Sequence, residues 1–288
     1  YTLDEITYKP DSLYIYSSAI PIESDRFEDF HDKENVLSRP EYLKNLSENH
    51  KIIGITGTHG KTSTTALLSH IFHFNNVNVS YLYGGITTFN GIGGHYGDPD
   101  QPLILETDEA FNTFEKIKIS DLLVLNVDSD HLDYFKNLDN YKDAFYKVMK
   151  NVTDNLVINN DDLNIKSMKE LKNSVSYGKD ISADFKVQSP GNFIYENNKY
   201  EIKSDIIGDH FKSNMLGAII LALLNGIEIK DSLNAIESFA GVKRRVELIG
   251  ISKGVLIYDD YGHHPTEMEA TITALKQQTE SKLFVIFQ

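Results

Sequence analysis

The sequence predicts an α/β protein with a mostly parallel sheet and an antiparallel flank, and three observations carry that prediction. Ile52 and Ile53 run through the glycine-rich turn Gly54-Ile55-Thr56-Gly57-Thr58-His59-Gly60-Lys61-Thr62-Ser63 into apolar residues at helical spacing, Leu67, Leu68, Ile71, Phe72 and Phe74. That is the strand, loop and helix order of a phosphate-binding loop. Two more apolar runs, 103–105 and 122–125, end in acidic residues, as buried parallel strands do when their C-terminal ends face a ligand. Between 174 and 207 the pattern changes to short alternating segments separated by Pro190-Gly191 and Asn197-Asn198, which predicts hairpins.

Each residue type in the first turn has a physical task. Gly57 and Gly60 permit backbone conformations closed to other residues, so that several N–H groups converge on phosphate oxygens at a helix N-terminus. Lys61 supplies a point charge for the outer phosphates, and the Thr62 hydroxyl is a Mg²⁺ ligand of the usual kind. The spacing departs from the general pattern. Glycine is expected five residues before Gly60, where Ile55 stands, and Gly54 and Gly57 flank it instead. A surface turn holding Gly-Lys-Thr by chance would need neither a strand before it nor a helix after it.

Composition sets the outer limits. The chain has 288 residues, 41% of them hydrophobic, enough for a large core and more than one domain. Its 42 acidic and 28 basic residues give a formal charge of -14, which argues against a nucleic-acid partner, because phosphate backbones require clustered Lys and Arg. With no cysteine, disulfides, thiolate zinc sites and a cysteine nucleophile are excluded. No apolar run has bilayer-spanning length and the N-terminus lacks signal-peptide regions, so a cytoplasmic protein without a membrane partner is expected.

In chain order, residues 11–16 read as a strand ended by the turn Ser17-Ser18-Ala19-Ile20-Pro21, and 23–45 as polar helical segments. A strand over 77–83 leads to a loop from Gly84 to Gly97 with two Gly-Gly pairs, readable as a ligand-shaped surface or as a linker. Helices are expected over 139–151, 214–224 and 231–239, with a strand near 156–159. Gly241-Val242-Lys243-Arg244-Arg245 opens a fresh βα unit: a strand from Val255, the segment Asp259-Asp260-Tyr261-Gly262-His263-His264, a helix from Pro265 and a strand over 283–287. Pro at a first helical position is well placed. The expected domains are 1–47, a remnant of a substrate-binding domain; 48–243, a central nucleotide domain; and 244–288, a closing domain cut short.

Glu106, Asp108 and Glu109 close one strand, and Asp128, Asp130, His131 and Asp133 follow the next. Oxygen ligands with an occasional imidazole suit Mg²⁺ beside phosphate oxygens. Solvated acidic loops are the alternative, and placement at two strand ends beside the phosphate loop favours the metal reading.

Gly57-Thr58-His59-Gly60-Lys61-Thr62 resembles the phosphate loop of the Mur ligase family. Glu106-Thr107-Asp108-Glu109, Asn126 to Asp133, and Asp259-Asp260-Tyr261-Gly262-His263-His264-Pro265-Thr266-Glu267 resemble further family segments in the family's order. The resemblance implies a Mur ligase-like central domain with partial Rossmann-like domains at both ends, ATP and Mg²⁺ as cofactors, and UDP-N-acetylmuramate and L-alanine as substrates. It implies that Gly57, Thr58, His59, Gly60, Lys61, Thr62 and Ser63 bind ATP. Thr62 and Glu106 would hold one Mg²⁺ and His131 a second, with Lys61, Glu106 and His131 as the catalytic set. Asn214, Arg244 or Arg245, and Asp260 would reach the nucleotide; Ser17, Ser18, Glu109, His263 and His264 fall on the substrate side. Two positions depart from the family: Phe211 stands where it has an asparagine, and Phe145 where several members carry a modified lysine.

The implied chemistry is carboxylate phosphorylation by ATP followed by amine attack on the acyl phosphate. A peptide-recycling ligase of the same family, a nucleotide-binding module without catalysis, and a P-loop GTPase or kinase are the rivals. The last leaves the Asp259 to Glu267 segment unexplained.

Overall fold

The centre of the molecule is β3 (Ile52–Thr56), buried at all five positions. In the computed structural model, residues 6–17, 20–87, 91–130, 132–168, 171 and 174–287 are described. Around β3 lies a ten-stranded sheet whose other members, in chain order, are β4 (Ser80–Leu82), β5 (Gly94–His95), β6 (Leu103–Glu106), β7 (Asp121–Val124), β8 (Asn155–Asn159), β9 (Ser174–Gly178), β10 (Phe185–Ser189), β11 (Asn192–Tyr195) and β12 (Asn198–Glu201). Their spatial order is β12-β11-β10-β9-β8-β7-β3-β6-β4-β5. Pairing is parallel from β4 to β10 and antiparallel for β4 with β5, β10 with β11 and β11 with β12. The parallel centre and antiparallel flank agree with the sequence-based expectation.

Helices cover both faces, as a sheet apolar on both sides requires. On one face α2 (Lys61–Phe74), α6 (Asp209–Leu224) and α7 (Ile229–Ser238) pack a cluster that includes Leu68, Ile71, Ile219 and Ile220, each fully buried. The other face carries α1 (Arg39–Asn49) and α4 (Leu138–Lys150) over Leu122, Val124, Phe114 and Phe145. Each such side chain contributes about 1.5–3 kcal/mol, so both elements that flank the β3-to-α2 connection are held by the buried core. Short helices α3 (Leu132–Phe135) and α5 (Leu163–Lys166) follow β7 and β8.

Outside the main sheet the structure departs from expectation at three places. Residues 23–45 are not continuously helical: a 3₁₀ helix, Asp25–Phe30, is followed by β2 (Val36–Ser38), which pairs in parallel with β1 (Tyr14–Tyr16). The aromatic contacts of Tyr14 and Tyr8 with Phe30, at 5.0 and 5.7 Å, pack the 3₁₀ helix against β1. Second, β14 (Val255–Asp259) pairs antiparallel with β13 (Glu247–Ser252), a strand the sequence reading did not contain. Then α8 (Pro265–Gln277) begins where Pro265 predicts. Third, residues 283–287 are not a strand; they lack a paired neighbour among the described residues, and a strand exists only by pairing.

No helix among the described residues is long and apolar enough to cross a membrane.

Candidate functional site

β3, β6, β7 and β8 all point their C-terminal ends to one edge of the sheet, and the candidate site is assembled there. Gly57 (φ 144°) lies against the Asn126 backbone, where an added Cβ would sit 3.0–3.1 Å from its neighbours, and Gly60 (φ 85°) lies against the Asn214 amide. Only glycine fits either place without strain. Asn126 clamps the loop between them: its Oδ1 accepts from the His59 N–H at 2.8 Å and its Nδ2 donates to the His59 carbonyl at 2.9 Å. Helix α2 starts at Lys61 with Gly60 as N-cap, no side-chain cap and no acidic residue in its first turn. Those N–H groups and the helix dipole suit an anion, so the loop fits the phosphates of ATP.

The Lys61 ammonium donates to the Gly57 carbonyl at 2.7 Å and to Glu109 Oε1 at 3.0 Å, and it lies 2.9 Å from Glu109 Oε2 as an ion pair. Glu109 is fully buried. Burial pushes its carboxyl above the usual range, opposed by the charge and hydrogen bond of Lys61. Tyr141 Oη donates to Glu109 at 3.2 Å and hydrogen-bonds Thr58 Oγ1 at 3.1 Å, so Glu109 meets Lys61 and Tyr141 rather than the open cleft. Beside this network Thr62 Oγ1 donates to Glu106 Oε1 at 2.8 Å, and Glu106 Oε2 accepts from the Gly84 N–H at 2.7 Å. A hydroxyl and a carboxylate converging next to a phosphate loop are hard oxygen donors of the kind Mg²⁺ takes.

Residues from Arg245 to Thr271 form the opposite wall of a cleft of ≈ 410 Å³ that also includes His59, Asn214 and Phe211. His59 joins the walls: Nδ1 lies 3.1 Å from Glu267 Oε1 and Nε2 3.4 Å from Asp128 Oδ2. Burial disfavours the imidazolium, but the hydrogen bonds and charges of Glu267 and Asp128 outweigh it and raise the His59 pKa. Burial likewise opposes ionised Glu267, yet His59 and then Arg245 bring its pKa down to about 2. Thr266 Oγ1 donates to Asp128 at 2.8 Å, and His264 Nε2 lies 3.2 Å from the Ser129 carbonyl.

The structure thus brings Gly57, Thr58, His59, Gly60, Lys61, Thr62, Ser63, Glu106, Glu109, Asn214, Arg245, Asp260 and His264 to one sheet edge. Asp260 uses both oxygens on the Val246 and Gly262 N–H groups, which shapes the cleft wall. Arg244 instead turns toward Asp259 Oδ2, at 3.5 Å, with its guanidinium 5.1 Å from the Tyr261 ring. His263 packs on Tyr261 with ring centroids 5.4 Å apart. Ser17 lies exposed after β1 in the separate N-terminal sheet, its carbonyl accepting from the Ile20 N–H at 2.9 Å. Ser18 and His131 lie outside the described residues. Phe211 is half-buried on the His210 ring, centroids 4.3 Å apart, and Phe145 is fully buried.

Sequence reasoning gave no role to Asn126, Tyr141, Thr266 or Glu267. Asn126, Thr266 and Glu267 stand inside quoted motifs, so a signal existed for them; Tyr141 sits in an amphipathic helix, where an inward tyrosine reads as core.

Comparison with known proteins follows this geometry. Residues 55–222 match the family described as Mur ligase middle domain, and 244–288 the one described as Mur ligase, glutamate ligase domain. A UDP-N-acetylmuramate–L-alanine ligase of Clostridium botulinum (strain Langeland) is 37% identical over 97% of this chain and 64% of its own length. One from Caldicellulosiruptor saccharolyticus is 35% identical over 99% and 66%. The chain therefore spans just under two thirds of these relatives. The UDP-N-acetylmuramate-alanine ligase structure from Thermotoga maritima superposes with TM-score 0.81 at 23% identity, covering 97% of this chain and 66% of that one. A murein peptide ligase from Psychrobacter arcticus gives 0.70 at 22%, covering 91% and 62%.

Proposed function

The chain belongs to the Mur ligase family, and on that premise we propose that its protein is an ATP-dependent, ADP-forming ligase that joins L-alanine to UDP-N-acetylmuramate in peptidoglycan precursor synthesis, in the cytoplasm. The observation that carries the reading is the convergence of Lys61, the Thr62–Glu106 pair and the 244–288 segment on one phosphate loop. The names of the 35–37% identical relatives support the choice of substrates.

In this reading residues 48–243 hold ATP, 1–47 are part of a domain for the uridine nucleotide, and 244–288 close over the nucleotide. The Gly57 to Lys61 N–H groups and the Lys61 ammonium hold the β and γ phosphates, and Asn214 with Arg245 faces the nucleoside side. Thr62 and Glu106 would hold Mg²⁺, with His131 proposed for a second ion; bound there, the metal supplies charge neutralisation for phosphoryl transfer. The substrate carboxylate takes the γ-phosphoryl group and ADP leaves. The L-alanine amine then attacks the acyl phosphate, giving the amide and inorganic phosphate. Acyl phosphates hydrolyse in water, so residues 244–288, docked through His59, Asp128 and Glu267, would exclude solvent while the amine attacks. His263 and His264 are proposed on the substrate side.

The test is phosphate release by the full-length protein with ATP, Mg²⁺ and UDP-N-acetylmuramate, comparing L-alanine with a muramyl-type tripeptide as amine. Release dependent on L-alanine is expected. Release with the tripeptide alone would mean a peptide-recycling ligase, and release with neither would leave a nucleotide-binding module.

A further inference from the structure

The contact between the phosphate loop and the start of α8 contains a donor set to which the ligase reading gives docking and substrate roles but no metal. One ligand atom from each of His59, Asp128 and His264 lies within 4.8 Å of the others. Two imidazoles and a carboxylate are not the oxygen-rich set Mg²⁺ prefers; they suit Zn²⁺ and its neighbours in the first transition row. We propose that His59, Asp128 and His264 form a further metal site, apart from those proposed for Mg²⁺, for a Zn²⁺-class dication that bridges the phosphate loop to the segment carrying α8.

Three features beyond proximity point the same way. His59 Nε2 and Asp128 Oδ2 are 3.4 Å apart, about the edge of a tetrahedron with bonds of roughly 2.0 Å. Behind His59, Glu267 Oε1 lies 3.1 Å from Nδ1, the carboxylate–histidine pairing that orients a metal-binding imidazole and fixes which nitrogen faces the ion. The two ring nitrogens of His264 make only long contacts, 3.2 Å to the Ser129 carbonyl and 3.3 Å from the Thr266 N–H, so one gives way at small cost. Asp162 lines the same cleft, its Oδ2 accepting from the Val127 N–H at 3.2 Å and its Oδ1 from the Ile165 N–H at 2.8 Å. The ion replaces the proton between His59 and Asp128, and that proton leaves to solvent.

A bound ion would pin the two walls of the cleft together. On the ligase reading this slows nucleotide entry and product release, so Zn²⁺ acts as an inhibitor distinct from Mg²⁺; the binding claim itself does not depend on that reading.

The experiment titrates the full-length protein, free of nucleotide and Mg²⁺, with Zn²⁺ by calorimetry and with Co²⁺ by visible absorption. Tetrahedral-type Co²⁺ bands and one Zn²⁺ site are expected. His264→Asn and His59→Asn should abolish the bands and weaken Zn²⁺ at least about 10-fold, and Glu267→Gln should weaken it by about 10-fold. Glu106→Gln, which removes the carboxylate charge beside Thr62, should leave the bands intact. Absent bands in the wild type, equal Zn²⁺ affinity in His264→Asn, or loss of the bands in Glu106→Gln would each overturn the proposal. If His59→Asn does not fold, the half-buried His264 carries the decision. ATP turnover of the wild type with Mg²⁺ in chelator-treated buffer reports on the ligase reading separately.

Discussion

Lys61 has two tasks, and they can be separated. It is the cation of the phosphate loop and the partner of fully buried Glu109. Removing one member of a buried pair leaves the other uncompensated, at a cost of about 3–5 kcal/mol. Lys61→Met should therefore abolish ATP turnover and lower the unfolding free energy by about 3 kcal/mol. Lys61→Met/Glu109→Gln should recover most of the stability and none of the turnover, because a neutral pair no longer carries the buried charge. Denaturant titrations beside phosphate-release assays check both; a double variant as unstable as the single would mean that the pair is not the cause. Gly60→Ala is a second residue-scale case. With φ at 85° and the Asn214 amide in the path of a Cβ, it should cost about 1–2 kcal/mol in backbone strain alone, read as a lowered Tm, and should weaken ATP binding measured by calorimetry.

At the scale of elements, local signals worked where they were self-contained. Pro265 and His264 start α8. Ser38 caps α1 in a reciprocal box that the sequence reading did not contain: its Oγ and N–H donate to Glu41 Oε2 at 2.6 and 2.8 Å, and Oγ accepts from the Glu41 N–H at 3.4 Å. Ser38→Ala should destabilise by about 1 kcal/mol. The hydrogen bonds from Ser38 lower the Glu41 pKa below 4.5. The sign follows: the box contributes fully above 4.5, and its contribution is lost as pH falls through the lower folded value. The gap between wild type and Ser38→Ala should thus shrink in acid, seen by comparing urea unfolding at about pH 7 with unfolding well below the Glu41 pKa. β2 was not legible because nothing local marks Val36 as strand and β1 makes it so; β13 had a local signal that the sequence reading passed over, the apolar run Leu248-Ile249-Gly250-Ile251 ahead of a Lys253-Gly254 turn.

For the whole molecule, the point of interest is how residues 244–288 meet the central sheet. The His59, Asp128, Thr266 and Glu267 contacts are mostly side chain to side chain, so they can open without unfolding either partner. Glu267→Ala with Thr266→Val should raise amide exchange across α8 and leave β3 and α2 unchanged, since those rest on the buried core. Hydrogen exchange of the 265–277 segment measures it; unchanged protection there would mean that other contacts hold the wall.

The sequence by itself determined the phosphate loop, the parallel centre and the antiparallel flank, because each is written in periods and turns a few residues long. It also named many of the residues that gather at one edge, since in a parallel sheet every strand delivers its end to the same place. Only the tertiary structure decided what those residues do to one another. Glu109 turns to Lys61, Arg244 to Tyr261 and His59 to Glu267, across separations that no local pattern encodes. Such partnerships follow from where the chain returns in space. For Glu109 burial then weighs against the charge, since a carboxylate out of water keeps its charge only beside a cation that the fold has brought to it.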